Sequence, residues 1–183
     1  MAYRGKIISN KKTGQQIQFI QTAKDTNGRL LEIESVFRPH SVEPVAHYHP
    51  FQEEHFTVLE GSISVRLQNE LKILKAGDQL HISTSEIHSM WNHSGEKAKV
   101  NWKVMPALDT EYFLENGIGI ANNKKTNEQG MPGILQVALL ARRFSHVFRL
   151  ARPSYAFQKL VFSIVCPIAF VFGYRSNYKE YTD

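Results

Sequence analysis

Short runs of alternating apolar and polar residues, cut by turn signals, fill the chain from about Ile17 to Met105. Leu31, Ile33, Ser35 and Phe37 alternate with Glu32, Glu34 and Val36. Ile63-Ser64-Val65-Arg66-Leu67 and Val100-Asn101-Trp102-Lys103-Val104 repeat the period of two that a half-buried strand requires. Asn27-Gly28, Glu60-Gly61, Asn69-Glu70, Ala76-Gly77-Asp78 and Ser94-Gly95 supply the turns between them. No long helical pattern interrupts this stretch. The pattern therefore predicts an antiparallel sandwich or small barrel rather than a parallel sheet with crossover helices. Apolar residues make up 42% of the 183 and charged residues 21%, enough for a packed core and against wholesale disorder.

After Pro106 the pattern changes. Asp109 or Thr110 can cap a short helix through Tyr112, Phe113 and Leu114, with a stop near Asn116-Gly117. A polar linker follows from Asn122 to Gly133. Ile134 to Ala151 reads as one helix with Ile134, Val137, Ala138, Ala141, Phe144, Phe148 and Ala151 on a stripe. Pro153 breaks it and can open the next helix. Leu160 to Phe172 is almost wholly apolar, interrupted by Ser163 and Pro167. The expected division is a β domain over 1–108, a short helix and linker over 109–132, and a helical hairpin tail over 133–183.

Charge divides the chain at the same place. Residues 1–132 carry 15 basic and 15 acidic side chains, so the whole net charge of +5 lies in the tail. There Arg142, Arg143, Arg149, Arg152, Lys159, Arg175 and Lys179 face only Glu180 and Asp183. A basic amphipathic helix before an apolar run suits an anionic membrane surface. The run from Leu160 to Tyr174 is short of the roughly 20 residues that span a bilayer. Packing on the barrel or on a second copy as a homodimer is the other expectation, and would bury Phe144, Phe148, Phe162 and Phe170. The tail resembles no nucleic-acid-reading module. Cys166 alone excludes an intrachain disulfide or a cysteine zinc cluster. With no apolar run behind the first residues, a cytoplasmic setting, peripheral to or anchored at a membrane through the tail, is expected.

The histidines concentrate chemistry. His47 and His49 lie two apart on a predicted strand, so both imidazoles face the same side. Glu54 follows after a Pro50-Phe51 turn, and His88 and Asn92 come later. Imidazole and carboxylate together suit one divalent first-row metal ion such as Fe, Mn, Co, Ni, Cu or Zn. Periodicity alone does not place His88 beside His47.

These residues resemble the cupin superfamily. Its first motif has a Gly, then His-x-His, a Glu and a closing Gly; here Ser41 stands at the leading Gly and His47, His49, Glu54 and Gly61 match. In the second, Gly77, His88 and Asn92 match, while Ser83 and Ser85 replace a Pro and a Gly. The resemblance covers roughly residues 30–106. It implies a mainly β, antiparallel jelly-roll barrel, followed here by C-terminal α-helices, with His47, His49, Glu54 and His88 converging on one metal. Glu53 is the alternative ligand, although period two sends it outward with His55 and Thr57. Asn92 shares the face of His88 and is expected to orient a ligand or a bound water.

Alternation relative to the ligands points Phe37, Phe56, Val58, Val65, Leu80, Ile82, Met90 and Trp102 inward. They would form a largely apolar pocket with one polar end, suited to a small, partly apolar molecule; for most of them plain core packing is the alternative. No basic cluster inside suits a phosphate. Two classes of function follow: an enzyme, dioxygenase-like first and a Lewis-acid isomerase or decarboxylase second, or a non-catalytic ligand-binding or sensor protein.

Overall fold

The computed structural model describes residues 1–123, 126–127 and 131–182; the linker expected over 122–133 lies partly outside them, as does Asp183. Ten strands come first: β1 (Ile7–Ser9), β2 (Gln16–Gln21), β3 (Leu31–Phe37), β4 (His47–Tyr48), β5 (Glu53–Glu60), β6 (Ser62–Leu67), β7 (Glu70–Lys75), β8 (Gln79–Ile82), β9 (His88–Trp91) and β10 (Ala98–Met105). Then follow α1 (Thr110–Asn122), α2 (Ile134–Arg143), β11 (Arg149–Leu150), α3 (Tyr155–Val171) and α4 (Lys179–Thr182). One sheet runs β1-β2-β3-β10-β5-β8 and the other β11-β4-β9-β6-β7, every recorded pairing antiparallel. This is the expected jelly roll with C-terminal helices.

The expected alternation sets which face is buried. On β10, Ala98, Val100 and Val104 are buried while Lys99 and Lys103 point out, ion-paired to Glu34 at 2.6 Å and Glu32 at 3.7 Å. Phe56, Val58, Ile82 and Val100 of the first sheet pack against Ile63 and Val65 of the second, which closes the two sheets face to face. Ile17, Phe19, Leu31, Ile33 and Val104 pack against Ile118 of α1 instead, so that helix covers the far end of the first sheet. Each such side chain, fully withdrawn from water, contributes about 1.5–3 kcal/mol.

Gly61 turns β5 into β6 at φ +70°, and a Cβ there would collide with the Lys97 carbonyl. The turn therefore needs glycine for both its backbone conformation and its space.

Three features of the carboxyl-terminal part differ from expectation. Helix α1 runs through Gly117 to Asn122, because Ile118, Ile120 and Ala121 find buried places; at Gly119 a Cβ would meet the ring of Tyr181. The helix expected to reach Ala151 stops at Arg143. Arg149 and Leu150 pair instead with Tyr48 and His47, and the amide of Ala151 donates to the Ala46 carbonyl at 2.9 Å. Ladder bonds on an open sheet edge thus override local helix preference. Of the aromatics expected to be covered, Phe144 is fully buried and Phe148 and Phe162 partly so, whereas Phe170 is 46% exposed.

Candidate metal centre

Strand pairing supplies what periodicity could not. His47 on β4 lies directly opposite His88 on β9, with ring centroids 4.5 Å apart. His49 closes the group, its ring 5.2 Å from His47 and 5.3 Å from His88. One ring nitrogen from each of the three lies within 4.8 Å of the others.

Backbone carbonyls fix how these rings face. Nδ1 of His47 sits 3.0 Å from Val45 O, Nδ1 of His49 is 2.7 Å from Val147 O, and Nδ1 of His88 is 3.0 Å from Glu86 O. A carbonyl accepts, so each Nδ1 carries the hydrogen and donates. In the neutral ring each Nε2 is then the lone-pair donor, the tautomer a metal ligand needs.

Glu54 enters from β5 and is 1% exposed. Its Oε1 accepts from Trp102 Nε1 at 3.0 Å and lies 3.3 Å from His49 Nε2; its Oε2 lies 3.0 Å from His88 Nε2. Neither histidine contact has hydrogen-bond alignment. Among the described residues, His49 Nε2 and Glu54 Oε2 are buried polar atoms without a hydrogen-bond partner. Such atoms are costly to leave unpaired. Three clustered imidazoles with a buried carboxylate beside two of them are a donor set that fits a divalent transition-metal ion.

The electrostatics agree for His47 and His49 and run the other way for His88. Burial, reinforced by the neighbouring His88 and His49 rings, pushes the His47 pKa from 6.5 down to about 3. Burial also lowers His49, against the pull of Glu54. Burial alone would raise Glu54, but the surrounding histidines, His49 foremost, bring its carboxyl from 4.5 to about 2. His88 is raised: burial opposes this, and contact with the Glu54 carboxylate overcomes it.

The group opens on a cavity of about 190 Å³ lined by Phe37, Phe56, Met90, Val100, Trp102 and Leu114 among others. Four of the expected pocket residues, Phe37, Phe56, Met90 and Trp102, line it. Val58, Val65 and Ile82 are instead buried between the sheets, with Leu80 packed against them, because their positions lie deeper in the sheet contact. Gln15, Ser35, Pro44, Val100 and Leu114 also line the cavity. The inward turn of Ser35 was legible in the alternation of β3. Gln15, whose Nε2 donates to Ser35 Oγ at 2.9 Å, carried no local signal.

Asn92 is fully buried, but its amide serves the adjoining turn. It donates to Glu96 O at 2.7 Å and accepts from Ser94 N and Oγ at 2.9 and 2.7 Å. Its recorded contacts hold a loop rather than orient a histidine. Glu53 points outward, toward His81 at 3.3 Å. Another buried residue without a sequence signal is Gln52, which donates to Pro106 O, Ala107 O and Thr110 Oγ1 and so ties the start of β5 to the entry of α1.

The tail reaches the centre directly. Besides the Val147 carbonyl on His49, Phe148 stacks over His47 at 4.8 Å and against Phe113 at 5.0 Å. A second cavity, about 310 Å³, shares Gln15, Pro44, His47 and Leu114 with the first and extends among Phe113, Val137, Leu140 and Phe148.

Residues 34–104 match the Cupin domain family Cupin_2. The chain is 29% identical over 106 residues to quercetin 2,3-dioxygenase of Bacillus subtilis (strain 168), an alignment covering 57% of this chain and 31% of that protein. It is 30% identical over 60 residues to the tetracenomycin polyketide synthase protein TcmJ of Streptomyces glaucescens, covering 33% of this chain and 40% of that one. A solved structure of a predicted oxalate decarboxylase from Thermotoga maritima matches with a TM-score of 0.50 at 17% identity, over 58% of this chain and 99% of that one. That likeness bears on fold alone. The matched segment runs from β3 to β10 and holds all three histidines and Glu54, so this part of the chain is a cupin domain.

Proposed function

We propose that His47, His49, His88 and Glu54 hold one divalent transition-metal ion, and that the protein acts there on a small, largely apolar organic molecule. The observation that carries this reading is the clustering of three imidazoles, with a buried carboxylate beside two of them, at the polar end of an apolar cavity. Four protein donors leave open positions on a six-coordinate ion, which marks a working site rather than a closed structural one. A redox-active ion there would bring an oxygen-bearing substrate and dioxygen together, which makes oxygenation the first reaction to test. The similarity to a quercetin dioxygenase supports the same order of tests. Trp102 holds Glu54 in place, the backbone carbonyls hold the imidazoles, and the aromatic walls exclude water. Among the described lining residues of the inner cavity there is no Lys or Arg, which disfavours phosphorylated substrates.

Metal analysis of the purified chain, followed by oxygen uptake with catechols, diketones and flavonoids, tests the proposal. Stoichiometric iron with substrate-dependent uptake supports it. Zinc, no turnover and ligand-induced thermal stabilisation would replace it with a non-catalytic binding protein.

A separate observation concerns location. Phe157, Leu160, Ile164, Ile168, Val171 and Phe172 are all exposed and fall on one stripe of α3 and its cap, opposite the face that buries Cys166 and Ala169. The tail that carries the stripe has seven basic residues against two acidic ones. Among the described residues no helix is long and apolar enough to cross a membrane. An exposed apolar stripe in a segment of net positive charge fits a helix lying on an anionic lipid surface. Sedimentation with vesicles should show binding to anionic ones that Ile164→Asp abolishes. A stable dimer in their absence, dissociated by the same substitution, would assign the stripe to a second copy.

A further inference from the structure

The outer wall of the barrel carries a second convergence of ligand-type side chains, behind the first. Along β5, Glu54 and Phe56 point inward, so Glu53 and His55 face solvent. Across the ladder His55 is paired directly with His81 of β8, and the two imidazoles stack at 4.4 Å with 23° between their planes. Glu53, two residues before His55 on the same face, brings Oε2 to 3.3 Å from His81 Nε2. One donor atom from each of the three lies within 4.8 Å of the others.

We infer that Glu53, His55 and His81 form a second, outer-face site for a borderline divalent cation of the Zn²⁺, Ni²⁺ or Cu²⁺ class. An exposed Glu–His pair by itself stabilises little. The arrangement here is more specific than a pair. With metal–nitrogen bonds near 2.0–2.1 Å, donors on one ion sit about 3.4 Å apart in a tetrahedral site. To share an ion the stacked rings must turn so that their in-plane lone pairs converge and the donors close from within 4.8 Å to that spacing. Two imidazoles and one carboxylate are the donor types that such cations prefer over Mg²⁺ or Ca²⁺. All three stand on regular strands, so the backbone is already placed before any ion arrives. Lys103 of β10 pairs with His55 in the ladder, and its Nζ is drawn toward Glu32 at 3.7 Å. The half-exposed side chains leave the remaining coordination positions to water, so this site is weaker than the buried one.

The placement gives the ion a structural consequence. β8 is the edge strand of its sheet, held on one side only, and the chain leaves it for the loop that delivers His88. An ion shared by His55 and His81 clips that edge to β5.

The test is a Zn²⁺ titration of the chelator-stripped full-length chain by calorimetry, with His55→Gln/His81→Gln and Glu54→Gln/His88→Gln as paired variants. The expected result is two binding classes in the parent. The outer-face variant loses the weaker class and retains the stronger within about twofold, a change under ~0.5 kcal/mol. The inner variant retains the weaker class. In the parent and the inner variant, amide exchange along β8 slows when the outer class fills. If the parent and the outer-face variant bind the same number of ions with the same affinities, the outer site is refuted, whatever the inner variant does. If the parent binds one ion and the outer-face variant none, the outer site stands and the inner centre falls.

Discussion

Phe148 is the point at which the helical tail meets the proposed metal centre, and removing its ring tests whether the tail is part of the site. The ring is sandwiched between His47 at 4.8 Å and Phe113 at 5.0 Å. A fully buried Phe→Ala change costs about 3–5 kcal/mol. Phe148 is only partly buried, so the lower end applies, reduced further by exposure. Each lost aromatic contact adds about 0.5–1.5 kcal/mol beyond area. Together these give about 2–3 kcal/mol for Phe148→Ala. The measurement is urea unfolding of metal-free protein in chelator, which keeps ion binding out of the comparison. With a slope near ~2 kcal/mol/M, the midpoint should fall by about 1–1.5 M at unchanged slope. Phe148→Leu keeps most of the volume and loses the stacking, so it should fall in between. Metal affinity should drop in parallel, because the ring packs the face of His47. A midpoint shift below ~0.3 M with full metal affinity would refute the idea that the tail closes this centre.

Replacing Glu54 by Gln removes the one anionic donor and should weaken metal binding by well over the 10–100-fold that loss of a supporting partner typically costs; Glu53→Gln should leave the buried site's affinity unchanged, and competition with a chromophoric chelator reads both. Trp102→Phe deletes the 3.0 Å hydrogen bond to Glu54 while keeping an aromatic wall, and should cost metal affinity about tenfold in the same assay. Glu111 is raised above the ordinary carboxylate range, mainly by burial, with its neighbours Glu115 and Asp25 adding to this. A raised carboxyl contributes stability at low pH that is lost as pH rises through its folded pKa. Glu111→Gln should therefore raise the melting temperature at pH 8 and do less at pH 4. Gly61→Ala should destabilise by about 1–3 kcal/mol in urea melts, since the backbone conformation is strained for alanine and its Cβ meets the Lys97 carbonyl.

The β portion was legible in the sequence because its signals are local. Alternation on β3, β6 and β10 assigned inward and outward faces, and the turn dipeptides placed the breaks. The inward choice of Glu54 over Glu53 followed from the same period of two. What stayed hidden depends on contacts between distant segments. That His88 lies opposite His47 is a fact of register between β4 and β9. Gln15 reaches the cavity through a bond to Ser35, and Gln52 acts through carbonyls more than fifty residues away. Residues 144–151 read as helix because their apolar spacing fits one. The free edge of β4 claimed Arg149 and Leu150 instead.

That displaced segment changes what the tail is. A hairpin merely laid on a barrel would touch none of the proposed ligands. Here Val147 supplies the carbonyl that sets the tautomer of His49, Phe148 covers the face of His47, and Leu150 pairs with the backbone of His47 itself. These three contacts fall within four consecutive residues, so one short strap governs two of the three imidazoles. The same strap leads directly into α3, whose exposed apolar stripe faces away from the barrel. Anything that pulls on α3, a lipid surface above all, is thereby coupled through a few residues of backbone to the orientation of His47 and His49. The coupling predicts that anionic vesicles alter metal affinity in the parent chain. They should have no such effect once Ile164→Asp has removed the contact.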